Sequence, residues 1–259
     1  MSDLRVRSIR SLRLRWGLLA LATTGGIAAV YVGIAPFLSD DHAGRWLVGT
    51  GAVLAVELGL LWYFIPRNHG DGEALAPSFG PATLVTLLRG VFVACLAGFL
   101  LVPWLEGPLA WAPVSLYAAA ATLDAVDGAL ARATDRATVL GARLDTEIDA
   151  LGVLLAVSLA VGYGQLPLPF LAIGFARYVF VVGSWFRRLR GLPVYDLPSR
   201  RIGRTLAGLQ MAVLAVALLP VVSPSVATLL ATLVAVPFLA GFLRDWLHHA
   251  GHLGRAEHR

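Results

Sequence analysis

The sequence predicts an all-α fold: a polytopic membrane helical bundle with a six-helix core and two transmembrane helices before it. Of its 259 residues, 58% are hydrophobic and only 14% are charged, a composition too apolar for an ordinary soluble domain. The apolar residues also fall into segments about as long as a helix that crosses a bilayer. There are eight such segments, at roughly 16–38, 45–65, 81–104, 109–132, 141–163, 167–187, 203–221 and 225–246.

The first apolar segment follows a run of arginines and could therefore imitate a secretory signal peptide. The segment is longer than the apolar part of such a peptide and no clear small-residue cleavage site follows it, so we predict a retained membrane helix. After the second segment, residues 66–80 are rich in Pro, Gly, Asn and Asp, which marks a domain boundary. We therefore predict an N-terminal helix pair with its linker (1–80), a core (81–247) and a cytoplasmic tail (248–259).

The arginines indicate how the chain crosses the membrane. The predicted outer loops near residues 106, 165 and 222 contain no basic residue, and Arg45 at the first outer turn is the exception to this pattern. The predicted inner regions are rich in arginine: 132, 136, 143, 187, 188, 190, 200, 201, 204, 244, 255 and 259. By the positive-inside rule, both termini face the cytoplasm, and we expect a prokaryotic cell membrane. Arginines at the ends of apolar segments do not form the basic face of a nucleic-acid-binding module, so no nucleic-acid partner is expected.

Four aspartates dominate the middle of the chain: Asp124, Asp127, Asp145 and Asp149. Acidic side chains near membrane segments are costly and are usually functional. Helical spacing places Asp145 and Asp149 on one face, and a turn at 134–136 would let two antiparallel helices bring all four carboxylates together. An all-oxygen cluster suits two divalent cations such as Mg²⁺ or Mn²⁺ holding a phosphate, so we predict a metal-dependent site on the cytoplasmic side.

The spacing of this stretch, D-x2-D-G-x2-A-R-x8-G-x3-D-x3-D, resembles the signature of the CDP-alcohol phosphotransferases. All eight specified positions match: Asp124, Asp127, Gly128, Ala131, Arg132, Gly141, Asp145 and Asp149. The resemblance implies a membrane enzyme of phospholipid biosynthesis. Such an enzyme moves a phosphatidyl group from a CDP-linked lipid such as CDP-diacylglycerol to an alcohol and releases CMP. Family members are often homodimers, and we expect the same here.

The same resemblance implies roles for the motif residues. Asp124, Asp127 and Asp145 would bind the two cations, and Asp149 would complete the metal site and act as the base that deprotonates the acceptor hydroxyl. The CDP site would be formed by Asp124, Gly128, Ala131, Arg132 and Gly141. A pattern of Asn-x-x-Thr-x-x-Arg found in many members is matched by Thr83, Thr86 and Arg89, with Thr83 in place of Asn.

The acceptor side is predicted from arginines. Gly203, Arg204 and Thr205 stand where related enzymes often have Gly-Lys followed by Thr. A cationic pocket would favour a phosphorylated acceptor such as glycerol 3-phosphate, with inositol phosphate or serine as alternatives. The candidate acceptor-binding residues are Arg89, Arg177, Arg200, Arg201 and Arg204. Arginine runs at helix ends are also ordinary topology signals. For Arg89 we favour a phosphate or the Asp cluster as the partner over a side chain that reaches to the membrane surface.

Several other polar or aromatic features have two interpretations each. Glu57 lies within the second apolar segment and is either a functional carboxylate or a polar contact to a neighbouring helix, which we favour. The histidines at 248, 249 and 252 could bind a metal, but they lack a carboxylate or cysteine partner and we expect a hydrated tail. All seven tryptophans fall near predicted span ends, as in an interfacial belt.

Two other functional classes are open to a protein with this composition. A membrane prenyltransferase also uses Asp-rich helices and Mg²⁺, but it has two motifs on well-separated helices, whereas these four aspartates lie close together. An ion transporter would fit eight spans, but the sequence contains no second copy of the Asp-rich hairpin, as an internal repeat would require.

Overall fold

The computed structural model describes residues 2–70, 74–134, 138–196 and 201–252. Within these ranges, the side chains of residues 2–4, 125, 127–134, 201, 202 and 204 are not described. Within the described residues there are eight α-helices and no strand, which confirms the all-α prediction. The helices are α1 (Ser2–Ile34), α2 (Asp40–Phe64), α3 (Pro81–Gly98), α4 (Ala112–Thr134), α5 (Val139–Gly162), α6 (Leu171–Leu189), α7 (Arg201–Ala217) and α8 (Pro224–His249).

Five helical stretches in the described part of the chain are long and apolar enough to cross a membrane: Arg5–Phe37, Asp40–Arg67, Pro81–Leu101, Leu168–Leu189 and Pro224–His249. Many of their large apolar side chains are exposed, such as Leu21 at 73% and Leu233 at 65%, as expected for surfaces that face lipid. The protein is therefore an integral membrane protein. Helices α4 and α5 carry the charged motif and α7 has only 17 residues, so the prediction of eight spans stays a prediction.

Two compact units make up the chain, Met1–Leu155 and Ala156–Arg259, and α5 runs through the boundary between them. In the first unit, α2 packs closely on α3. Trp46 of α2 is fully buried, and a Cβ placed on Gly98 would lie 2.6 Å from its Cδ1 atom. Trp46 also makes an edge-on contact with Phe99 at 6.2 Å between ring centroids. Trp46 therefore belongs to the core, which corrects its assignment to the interfacial belt.

Helix α1 is held to α2 by aromatic and polar contacts. The indole N–H of Trp16 donates to the carbonyl of Leu58 at 2.9 Å, and the Trp16 and Trp62 rings meet edge to face at 5.0 Å. The guanidinium of Arg13 lies 4.9 Å from the Trp62 ring centroid. These contacts make the N-terminal helices a packed pair, since an aromatic pair, a cation–π contact and a part-buried indole hydrogen bond all favour one arrangement.

The described residues of the linker after α2 form hydrogen bonds with one another and with the start of α5. Asn68 is fully buried, and its amide donates to the carbonyls of Ala76 and Ser78 at 3.1 and 3.0 Å. The carbonyl of His69 accepts a hydrogen bond from the backbone N–H of Val139 at 2.9 Å. Val139 is the first residue of α5, so the linker contacts the helix that carries Asp145 and Asp149.

In the second unit, α8 packs against α6 around Phe180, Trp246 and His249. Trp246 and Phe180 meet edge to face at 5.4 Å, and His249 Nε2 lies 3.0 Å from the Ser184 hydroxyl. His249 Nδ1 lies 2.6 Å from the carbonyl oxygen of Tyr195. His249 is buried at 8% exposure, so the expected hydration of the histidines is wrong for this residue, whereas His252 is exposed.

Candidate active site

Three of the four predicted aspartates converge in the first unit. Asp124 lies on α4, and Asp145 and Asp149 lie one turn apart on α5. One carboxylate oxygen from each residue lies within 4.8 Å of the others. Their side chains are 36 to 39% exposed, so they are within reach of solvent and of a ligand. The side chain of Asp127 lies outside the described residues.

Arg89 of α3 joins these three carboxylates. Its guanidinium pairs with the Asp124 carboxylate and lies 2.7 Å from Asp145 Oδ1 and 3.1 Å from Asp149 Oδ1. It also donates to the backbone carbonyl of Asp145 at 3.1 Å. The Arg89 side chain is only 2% exposed, so it does not extend to the membrane surface. Because a planar guanidinium offers five N–H donors, one arginine can hold carboxylates from two other helices together.

The donor set of this cluster fits a hard divalent cation. All the converging ligand atoms are carboxylate oxygens, which are the preferred ligands of Mg²⁺ and Mn²⁺. Partial exposure leaves room for water or phosphate oxygens to complete the coordination, as Mg²⁺ sites usually require. Arg89 neutralises part of the negative charge of Asp124, Asp145 and Asp149 when no cation is present.

The absence of a side chain at Gly141 allows α3 and α5 to approach near the cluster. A Cβ placed on Gly141 would lie 2.8 Å from Thr83 Oγ1 and 3.3 Å from Thr138 Oγ1. The Gly141 backbone N–H donates to Thr138 Oγ1 at 3.0 Å, which satisfies one of the free amides in the first turn of α5. Thr83 is buried at 3% exposure. The bare surface of Gly141 is therefore filled partly by the threonine that replaces the expected Asn.

A model of the family described as CDP-alcohol phosphatidyltransferase matches residues 80–248, well over half of the chain. The chain belongs to the CDP-alcohol phosphatidyltransferase family. No curated protein and no solved structure was found to match it. The family transfers a phosphatidyl group from a CDP-linked alcohol, so membership supports an enzyme of the transferase class and decides against the prenyltransferase and ion-transporter alternatives.

The match to the CDP-alcohol phosphatidyltransferase family includes the whole Asp motif and begins one residue before α3. Helices α1 and α2 therefore lie outside the family domain, although α2 packs on α3 beside the site. Glu57 of α2 is 3% exposed, and one of its carboxylate oxygens would lie 2.9 Å from a Cβ on Gly90. Sequence reasoning could not place Glu57 here, because a hydrophobic pattern shows which face of a helix is buried but not which helix it meets.

Several predicted site residues of this CDP-alcohol phosphatidyltransferase lie outside the described side chains, and their roles stay predictions. They are Asp127, Gly128, Ala131 and Arg132 of the motif, and Arg200, Arg201 and Arg204 of the predicted acceptor pocket. Arg177 is described: it lies on α6 in the second unit and is partly buried.

Proposed function

We propose that the protein transfers a phosphatidyl group from a CDP-linked lipid such as CDP-diacylglycerol to an alcohol and releases CMP. The observation that carries this proposal is the convergence of Asp124, Asp145 and Asp149 around a buried arginine inside the family domain. The cluster supplies the carboxylate oxygens that a phosphate-bound divalent cation requires. The reaction belongs to phospholipid biosynthesis, in which both the donor and the product are lipids.

The four carboxylates would have different roles. Asp124, Asp127 and Asp145 would hold two divalent cations, Mg²⁺ or Mn²⁺, and Asp149 would complete the site. When bound, the cations would polarise the phosphate and stabilise the leaving CMP. The acceptor oxygen forms a bond to the lipid-side phosphorus while the bond from that phosphorus to the CMP oxygen breaks. Asp149 takes the proton of the acceptor hydroxyl, and its partial exposure gives that proton a route to water.

The cytidine nucleotide would lie against Asp124, Gly128, Ala131, Arg132 and Gly141. Small residues let a nucleotide approach a helix closely, and Arg132 would pair with a phosphate oxygen. Gly141 itself has no side chain, and the nearest neighbours of a Cβ placed there would be the hydroxyls of Thr83 and Thr138, which a nucleotide at this point would contact.

We propose a phosphorylated acceptor such as glycerol 3-phosphate, with inositol phosphate or serine as the alternatives. Arg89 is already engaged by the aspartates, so the acceptor phosphate would be bound by the other predicted arginines. These residues are Arg177, Arg200, Arg201 and Arg204. Arginine suits phosphate binding because its planar fork forms paired hydrogen bonds with phosphate oxygens.

We also propose that both termini and the Asp cluster face the cytoplasm of a prokaryotic cell across eight spans, and that the chain works as a homodimer. The distribution of arginines supports the orientation. The dimer rests on the family resemblance and can be measured by light scattering of the protein in detergent.

An acceptor scan tests the proposed reaction. Purified protein in detergent would receive CDP-diacylglycerol and Mg²⁺ with glycerol 3-phosphate, inositol phosphate, inositol or serine, one at a time, and CMP would be measured. We expect glycerol 3-phosphate to stimulate CMP release and Asp149→Asn to abolish it. Stimulation by serine alone would overturn the phosphorylated acceptor. No release with any acceptor, together with no binding of CDP-diacylglycerol, would overturn the reaction class.

A further inference from the structure

We propose that the arginine collar of α1, formed by Arg5, Arg7, Arg10, Arg13 and Arg15, binds the headgroups of anionic phospholipids. The collar lies outside the family domain, which begins at residue 80. It is a lipid-binding surface in addition to the candidate active site, and it gives the N-terminal helix pair a role of its own.

The positive charge of the collar is concentrated and has no described acidic partner. Residues 1–15 contain five arginines and one acidic residue, Asp3. All five arginine side chains are exposed, and none forms an ion pair with an acidic side chain in the described part of the chain. Because successive arginines are two or three residues apart, they point to different sides of the helix. Their charge is therefore available to an anionic partner outside the protein.

The length of α1 places the collar at the membrane surface. The apolar part of this helix, from Trp16 to Ile34, extends about 28 Å at 1.5 Å per residue, close to the thickness of the hydrocarbon layer, about 30 Å. The helix from Arg7 to Arg15 covers about 12 Å of the same axis. The headgroup layer is about 5–8 Å thick on each side of the hydrocarbon, and long arginine side chains reach into it. The charges that meet the collar there are lipid phosphates.

Contacts with the rest of the first unit fix the collar in place. Leu12 is fully buried, and the hydroxyl of Ser11 donates to the carbonyl of Pro77 at 3.2 Å. The guanidinium of Arg13 lies 4.9 Å from the ring centroid of Trp62 on α2. An arginine run that served only as a topology signal would not require these contacts, so the collar is an ordered surface.

The linker that accepts the hydrogen bond from the collar also contacts α5. The amide of Asn68 donates to the carbonyl of Ser78, the residue after Pro77, at 3.0 Å. The carbonyl of His69 accepts from the backbone N–H of Val139, the first residue of α5, at 2.9 Å. Helix α5 carries two aspartates of the candidate active site, so the collar enriches an anionic lipid donor near that site. This last step rests on the proposed function.

An anionic lipid fits the collar better than a soluble anion does. Because α1 continues into the bilayer, lipid headgroups surround the collar at high local concentration. A cluster of about 4–8 basic residues directly beside a membrane helix is typical of a surface that recognises anionic lipids. One basic residue close to an anionic surface strengthens binding by a factor of about five. We therefore expect a preference of at least about fivefold for an anionic over a zwitterionic headgroup.

Native mass spectrometry of the full chain in a non-ionic detergent tests the inference. Dioleoylphosphatidylglycerol and dioleoylphosphatidylcholine have the same acyl chains and differ in headgroup charge, and the Kd of the first bound lipid would be measured for each. The collar variant combines Arg7→Gln, Arg10→Gln and Arg15→Gln and leaves Ser11, Leu12 and Arg13 in place. We expect wild type to bind phosphatidylglycerol at least about fivefold more tightly than phosphatidylcholine, and the collar variant to lose this preference.

A matched control removes the same charge elsewhere. Arg143, Arg188 and Arg244 are exposed on α5, α6 and α8, and their combined replacement by Gln should retain the preference. Lysine at the three collar positions should retain it too, because the charge is kept. An equal loss in the collar and control variants, a loss in the lysine variant, or no preference in wild type would overturn the inference.

Wild type alone gives a second test, which does not depend on how well a variant folds. About 1 M ammonium acetate shortens the screening length to about 3 Å, so the preference for phosphatidylglycerol should disappear. A preference that survives this salt concentration would overturn a collar that acts through its charge.

The enrichment of the donor has its own measurement. In detergent micelles that contain CDP-diacylglycerol, the collar variant should raise the apparent KM for this donor about fivefold and leave the acceptor KM and kcat unchanged. An unchanged donor KM would overturn the enrichment step. Absence of CMP release by wild type would instead contradict the proposed function, and the lipid titration would still decide whether the collar binds anionic lipid.

Discussion

Replacement of Arg89 by Gln should destabilise the metal-free protein more than the same change at an exposed arginine. Arg89 of α3 contacts Asp124 of α4 and Asp145 and Asp149 of α5, so one side chain connects three helices. Breaking a buried ion-pair network typically costs about 3–5 kcal/mol. The carboxylates are 36 to 39% exposed and can regain water, so the lower end, about 3 kcal/mol, is expected.

At about 2–4 °C for each kcal/mol in a chain of this size, that loss lowers the apparent melting temperature by about 6–12 °C. The assay is intrinsic fluorescence on heating in detergent with a chelator present, and then with Mn²⁺, which should restore part of the loss because a cation can replace the missing charge. Arg143→Gln, at an exposed position on α5, is the control. Melting of Arg89→Gln within about 2 °C of the control variant, with the same response to Mn²⁺, would refute the central place of Arg89 in the cluster.

Three further predictions concern individual roles. Asp149→Asn should abolish turnover while CDP-diacylglycerol still binds, measured by calorimetry beside the CMP assay; lost donor binding would contradict a role as base. Arg204→Ala should raise the KM for the acceptor more than the KM for the donor. An unchanged acceptor KM would mean that Arg204 does not bind the acceptor and only marks the cytoplasmic end of its helix. Gly141→Ala should lower turnover about tenfold, because its Cβ would meet Thr83 Oγ1 at 2.8 Å, and adding Thr83→Ala should recover part of it. No recovery would mean that Thr83 is not the obstacle.

The helices themselves could be predicted closely because apolar segments and prolines mark their limits. The predicted span at 81 begins where α3 begins, at Pro81, since proline suits the first turn of a helix. The predicted span at 16 begins well inside α1, which starts at Ser2 because arginine is also a good helix former. Hydropathy therefore locates the membrane part of a helix, whereas the helix itself continues through the polar residues.

The candidate site could be predicted only in part. The spacing of Asp145 and Asp149 places them on one face of α5, and the hairpin predicted that Asp124 would meet them. The four-residue periodicity does not specify contacts between helices that are far apart in sequence. The sequence offered the Asp cluster as one partner for Arg89, and only the contacts between helices show that all three described aspartates are engaged. The place of Glu57 beside Gly90 and the burial of His249 depend wholly on such contacts.

The most direct test of the central claim is CMP release from CDP-diacylglycerol by the purified protein, with glycerol 3-phosphate as acceptor, before and after removal of divalent cations. We predict that chelation stops release, that Mg²⁺ or Mn²⁺ restores it, and that Asp145→Asn shows none. Glu147→Gln removes an acid from the same helix two residues away and should retain activity, because Glu147 is not among the described carboxylates that converge in the cluster. Release that survives chelation, or equal release by wild type and Asp145→Asn, would contradict a metal-dependent transfer at this cluster.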